Sequence, residues 1–160
     1  MFGTQFAIFF KEGKFFIRDF SSASDNLSML IKLPKDQKFK ISEGSLLSFA
    51  ASTDYELETF SNNHLKMNFF RHSKKPTNVY DPPAQVVLDI PEQGLRLGRV
   101  SKDNQIVIGN KYLSGSHCVI FGDGVVDTSG NGTFVYVKSH QEVVRHHQSQ
   151  AVEIQKSTQL

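Results

Sequence analysis

Four short stretches between Leu95 and Thr133 hold most of the side chains that could do chemistry in this chain. They are Leu97-Gly98-Arg99, Asn104-Gln105-Ile106-Val107-Ile108, Leu113-Ser114-Gly115-Ser116-His117 and Asp127-Thr128-Ser129-Gly130-Asn131-Gly132-Thr133. Together they offer capture of an anion. Arg99 brings a planar guanidinium whose rigid fork of donors matches a group of acceptor oxygens. Ser114 adds a neutral hydroxyl donor, and the backbone N–H groups of the Gly-rich loop from Ser114 to Ser116 can complete a nest around negative charge. Asn131, in a tight turn, can offer its amide to the backbone of an extended ligand. Catalysis fits worse. Ser129 and Asp127 read as turn residues, and the chain has no Gly-x-Ser-x-Gly elbow. The glycines at 94 and 98 are not followed by Gly-Lys-Ser/Thr, so they do not form a nucleotide-binding loop. His140, His146 and His147 cluster, but adjacent residues on a strand point apart, so no metal is expected.

Read in order, Gly-Arg, Ser-x-x-His and Asp-x-Ser-x-Asn-Gly-Thr resemble the signature of the forkhead-associated (FHA) domain family, most clearly over residues 85–137. The resemblance implies an all-β fold, a β-sandwich of FHA type, and a non-catalytic module that recognises phosphothreonine peptides. It gives Arg99 and Ser114 to the phosphate and Asn131 to the peptide backbone. His117 becomes a structural residue bracing the loops, and Gly98 and Gly132 become glycines needed for backbone conformation. The chemistry agrees, because a phosphothreonine carries about −1.5 to −2 charge and three strong acceptor oxygens. The implied partner is a phosphothreonine-containing protein, with no cofactor and no enzyme activity. The alternative function is a phosphate-independent assembly domain with a degenerate site.

Two positions depart from the family pattern. Members often carry Ser or Thr where this chain has Gly130, and a polar side chain where it has Gly115. With each neutral hydrogen bond contributing about 0.5–1.5 kcal/mol, losing both lowers affinity about ten-fold or more without abolishing recognition. Lys111 and Tyr112, just before the loop, are placed to select the peptide residue that follows the phosphothreonine.

The elements that must position these residues read as short strands. Apolar residues alternate at Phe6, Ile8 and Phe10, at Phe15 and Ile17, at Phe39 and Ile41, at Leu57 with Thr59, at Val86, Leu88 and Ile90, at Ile106 and Ile108, and at Phe134 and Tyr136. A period of two with aromatic and β-branched residues predicts strands with one buried face. Turn signals at Glu12-Gly13, Glu43-Gly44, Asp123-Gly124 and Asn131-Gly132 separate them. No segment reads as a convincing amphipathic helix; residues 141–150 come nearest.

A Pro-rich polar stretch over 71–83 predicts a linker between a degenerate FHA-like unit at 1–70 and an FHA-like domain at 84–160. A weak internal repeat supports the cut: Asp19-Phe20-Ser21 resembles Asp127-Thr128-Ser129, and residues 5–9 resemble 117–121. In that alignment Phe2, Gln5 and Ala23 stand where Ser114, His117 and Asn131 stand, so the first unit is expected to lack a phosphate site. Each unit then misses strands that the other carries. The sequence leaves open incomplete tandem units, a dimer or strand exchange between chains, and one circularly permuted sandwich in which strands near 45–60 complete the sheets of 85–137. Tandem units are the favoured division.

The bulk numbers fit a binding module. Apolar residues make up 39% of the 160, enough for a core, and the net charge of +2 is too balanced to point to nucleic acid. The single cysteine, Cys118, rules out an intramolecular disulfide and fits an intracellular setting, cytoplasmic or nuclear. The apolar N-terminal stretch is too short to span a bilayer and lacks a basic leader, so no membrane association is expected.

Overall fold

The computed structural model describes residues 6–21, 29–61, 63–72, 82–145 and 147–154. Their strands are β1 (Phe6–Lys11), β2 (Lys14–Asp19), β3 (Leu30–Lys32), β4 (Lys38–Phe39), β5 (Ser45–Phe49), β6 (Thr53–Ser61), β7 (His64–His72), β8 (Gln85–Asp89), β9 (Leu95–Gly98), β10 (Ile106–Val107), β11 (Cys118–Phe121), β12 (Gly124–Asp127), β13 (Thr133–Ser139) and β14 (Val152–Glu153). One short helix, α1 (His140–Val144), follows β13. The all-β class expected from the alternation is the class observed.

Two sheets make the sandwich. One has the order β10-β9-β11-β12-β4 and the other β3-β13-β5-β6-β7-β8. Every pairing is antiparallel except β9 with β10. Between the sheets lies one apolar core. Ile31, Phe39, Leu47, Phe49, Tyr55, Leu57 and Met67 share it with Leu95, Leu97, Ile106, Ile120, Val125 and Val135.

These pairings correct the division into a unit at 1–70 and a domain at 84–160. Val125 and Val126 of β12 pair with Phe39 and Lys38. Phe134 and Val135 of β13 sit between Lys32 and Ile31 on one side and Ser48 and Leu47 on the other. Met67 of β7 pairs with Val86 of β8 across the stretch expected to be a linker. Each segment leaves sheet edges and an apolar face that only the other satisfies, so neither has a core of its own. The single-sandwich alternative describes this arrangement. The long β6–β7 hairpin, with Ser61 opposite His64, joins two strands of the second sheet. Of the supposed linker, residues 73–81 lie outside the described residues, as do Phe2, Gln5, Ala23 and His146. The repeat survives locally: Asp19 Oδ1 accepts the Ser21 N–H at 2.8 Å, as Asp127 Oδ1 accepts the Ser129 N–H at 3.1 Å.

Three further expectations change. On β13 the core-facing residues are Val135 and Val137, whereas Tyr136 packs on the outer face with Leu46 and Val143. Helix α1 covers that outer face, so β13 is buried on both sides. The helix itself carries a signal that periodicity missed, a Ser-x-x-Glu capping box in which Ser139 Oγ accepts the Glu142 N–H and Glu142 Oε1 accepts the Ser139 N–H. Finally, Phe6, Ile8 and Phe10 alternate as expected but remain largely exposed; β1 joins only β2 in a small third sheet, β1-β2-β14.

Candidate functional site

The loops 99–104, 110–117 and 128–132 gather at one end of the sandwich because β9, β11 and β12 are hydrogen-bonded neighbours. The Arg99 N–H donates to the Ser114 carbonyl at 3.0 Å, which ties the end of β9 to the serine loop. The Asn104 amide donates to the carbonyls of Val100 and Gly115 at 2.6 and 2.7 Å. Gly98 is needed here for space: a Cβ would overlap the Gly115 carbonyl and meet the Asn104 amide at 2.8 Å.

His117 braces the end from beneath. Its ring is fully buried; Nδ1 accepts the Ser114 N–H at 3.1 Å, and Nε2 lies 2.9 Å from the Gly132 carbonyl. A carbonyl only accepts, so the proton is on Nε2 and the ring is neutral. Burial lowers its pKa, outweighing the opposing pull of the Gly132 carbonyl and of Asp127. Gly132 has φ +93°, a left-handed conformation that glycine adopts without penalty.

The turn after β12 is held by Asp127. Its Oδ1 accepts from the Ser129 N–H, from Ser129 Oγ at 2.6 Å and from Thr133 Oγ1 at 2.9 Å, while Ser129 Oγ accepts the Gly132 N–H. Asp127 and Ser129 are both buried and engaged with one another, which leaves them no catalytic freedom. Cys118 is buried as well, and burial raises its pKa far enough to keep it a thiol.

The exposed members of the constellation differ from this scaffold. Arg99 is exposed, and among the described residues its guanidinium has no carboxylate partner. Ser114 Oγ accepts the Gly130 N–H at 3.0 Å, so its own hydrogen is left to donate. The Ser114 N–H is spent on His117, which removes one donor from the expected nest; no hydrogen bond among the described residues uses the N–H of Gly115 or Ser116. Asn131 Nδ2 donates to the Tyr112 carbonyl at 2.8 Å, fixing the side chain and leaving Oδ1 outward as an acceptor. Lys111 lies with Nζ 5.2 Å from the centre of the Tyr112 ring.

A fourth loop, which sequence reasoning missed, supports the site from the other half of the chain. Asn110 Nδ2 donates to Ser52 Oγ and Thr53 Oγ1 at 2.8 Å, and the Ala50 N–H donates to the Gly132 carbonyl at 2.8 Å. Ala50 and Ala51 hold φ of 58° and 49° to make this turn. Nothing local in residues 50–53 marks them, because their partners are about 60 to 80 residues away. Of the three clustered histidines, His140 has Nδ1 3.2 Å from Glu56 Oε1, and among the described residues no group of three metal-ligating side chains is present. No helix among the described residues is long and apolar enough to cross a membrane.

The family model of the FHA domain matches residues 95–158, the span that holds every residue of this constellation. No curated protein and no solved structure matches the chain. FHA domains are β-sandwich modules of phosphoprotein interaction, and residues 95–158 match the model of that family within a β-sandwich.

Proposed function

We propose that the chain is a non-catalytic module that binds phosphothreonine peptides of a protein partner at the end of the sandwich formed by loops 99–104, 110–117 and 128–132. Arg99 supplies the charged fork, Ser114 a hydroxyl hydrogen, and the N–H groups of Gly115 and Ser116 the rest of the cradle. Asn131 Oδ1 accepts a peptide N–H and so fixes register. Lys111 and Tyr112 flank the path of the peptide downstream of the phosphate.

The observation that carries this reading is the polarity of Ser114. Its oxygen already accepts from Gly130, its carbonyl is held by the backbone N–H of Arg99, and its hydrogen is left for an anion, while among the described residues the Arg99 guanidinium has no carboxylate partner. Behind it His117, Asp127, Ser129 and the Asn104 amide nitrogen are hydrogen-bonded within the chain, so the donors are positioned before a ligand arrives. Gly115 and Gly130 withhold side-chain contacts, which predicts micromolar rather than tighter binding, about −8 kcal/mol.

A titration of the chain against a degenerate phosphothreonine peptide library tests it, with unphosphorylated and phosphoserine libraries as controls. Binding that needs the phosphate and falls at least about 100-fold in Arg99→Ala with Ser114→Ala is expected, since hydrogen bonds to charged groups contribute about 1.5–3 kcal/mol each. Phosphate-independent binding that survives the double substitution would put the assembly-domain reading in its place.

A further inference from the structure

Five of the most exposed large apolar side chains belong to one hairpin. Phe6 is 43% exposed, Ile8 47%, Phe9 38%, Phe10 62% and Phe15 56%. Cross-strand pairs share a face, so Phe6 with Asp19, Ile8 with Ile17 and Phe10 with Phe15 all point to one side. Ile17 is buried in the main core, and the apolar face continues outward from it through Ile8, Phe6, Phe10 and Phe15. Among the described residues nothing covers this face, and β1 is the edge of its sheet.

The backbone of that edge is ordered for pairing. The hairpin turns on Glu12 and Gly13, both with positive φ (52° and 78°), the signature of a two-residue type I′ turn. Lys11 and Lys14 close such a turn as a hydrogen-bonded pair. By alternation the N–H and C=O groups of Phe10, Ile8 and Phe6 then point to the open edge. An open sheet edge is not tolerated in hydrocarbon, where those groups would find no partner, so a lipid surface fits this hairpin poorly. Another strand fits well.

We infer that β1 pairs antiparallel with β1 of a second copy of this chain about a two-fold axis at Ile8. In that register Ile8 faces Ile8 of the other copy, Phe6 faces Phe10, and the bulky Phe9 lies over the small Ala7. The outward amides at 6, 8 and 10 meet one another, and the apolar faces of both hairpins run together as one. The antiparallel arrangement also sends the basic tips, Lys11 and Lys14, to opposite ends of the ribbon. Edge pairing covers the outward amides of β1 and the flanks of Phe6, Ile8, Phe9 and Phe10, a small area that suits a weak association. The pairing is isologous and closes on itself.

Sedimentation velocity from about 1 to 200 µM reads the result, a range suited to an interface of this small area. The expected mass rises from 18.0 kDa to twice that value in the natural chain. It stays at 18.0 kDa in Ile8→Lys, which sets two like charges face to face, and still doubles in Val144→Lys, which alters an equally exposed apolar residue elsewhere. If Ile8→Lys does not fold, a cysteine trap decides. Ile8→Cys should form a covalent dimer on mild oxidation, because residues opposite one another in a hydrogen-bonded pair have Cα atoms about 5.5 Å apart, within disulfide reach. Phe15→Cys, one strand removed, should not, and the natural Cys118 is buried and silent. A chain that remains monomeric throughout, a dimer indifferent to Ile8→Lys and not trapped by Ile8→Cys, or a monomer that binds phosphatidylcholine vesicles through Ile8 would each overturn the inference.

Discussion

The loop end of the sandwich and the β1–β2 hairpin are both exposed, yet they are built on opposite principles. At the loop end the polar groups behind the surface are spent on one another: His117 on Ser114 and Gly132, Asp127 on Ser129 and Thr133, Asn104 on Val100 and Gly115. What reaches solvent there is a small set of donors held in place by a buried frame. On the hairpin there is no frame. Phe9 stacks on Phe16 with centroids 5.7 Å apart and Phe10 leans on Phe15 at 5.0 Å, but the apolar face stays open. A rigid polar frame suits a ligand whose charge must be met by fixed donors. An open apolar edge suits a partner that supplies area and backbone, and little directional chemistry.

The sharpest way to break this contrast is to remove the brace. His117→Ala should cost about 2–4 kcal/mol in urea unfolding, because it leaves the Ser114 N–H without its partner, leaves the Gly132 carbonyl with only the Ala50 N–H, and opens a cavity. The same variant should lose phosphopeptide binding even where it stays folded. A loss below about 0.5 kcal/mol, the range of ordinary surface changes, would mean the frame does not depend on this ring.

The second effect is a pH dependence with a fixed sign. The folded His117 pKa lies below its ordinary value of 6.5 because burial disfavours the charged ring. Between the folded value and 6.5 the unfolded chain therefore binds a proton that the folded chain does not. Stability should be full above about 6.5, fall as pH drops below it by at most about 1.4 kcal/mol per pH unit, and level off beneath the folded value. Urea midpoints taken from pH 7.5 downward measure this, and a His117→Gln variant should lose that slope.

A smaller effect sharpens the comparison by adding to the site. A Cβ on Gly130 would lie 3.9 Å from Ser114 Oγ and meets no backbone, so Gly130→Ser fits without repacking. It should tighten phosphothreonine-peptide binding about three- to ten-fold, one neutral hydrogen bond, in a calorimetric titration. The same change should leave sedimentation of the chain unaltered.

The smallest effect is expected on the hairpin. Phe10→Ser removes an exposed ring from a face that carries no core packing, so the unfolding free energy should move by no more than about 0.5 kcal/mol when measured dilute. A loss above about 1 kcal/mol would show that the hairpin face is covered within one chain, and the contrast between the two regions would fail.

The strand character of most elements and the members of the candidate site were legible in the residues alone. Arg99, Ser114, His117 and Asn131 fall in one window, at spacings set by two tight turns and one short strand, so their convergence needs only local geometry. The sequence also carried the capping box of α1, a local signal that a search for helical periodicity overlooks in five residues. Strand partners were another matter. Alternation says that residues 45–49 or 133–139 have a face to bury, but not against what, because a period of two is the same for every neighbour. That β4 closes the sheet of β12, that β5 sits beside β13, and that the turn at Ala50 supports the candidate site from the far half of the chain emerged with the folded sandwich. Those choices rest on packing between residues about 70 to 90 positions apart, where buried area and hydrogen-bond satisfaction of whole sheets, rather than any local pattern, select the partner.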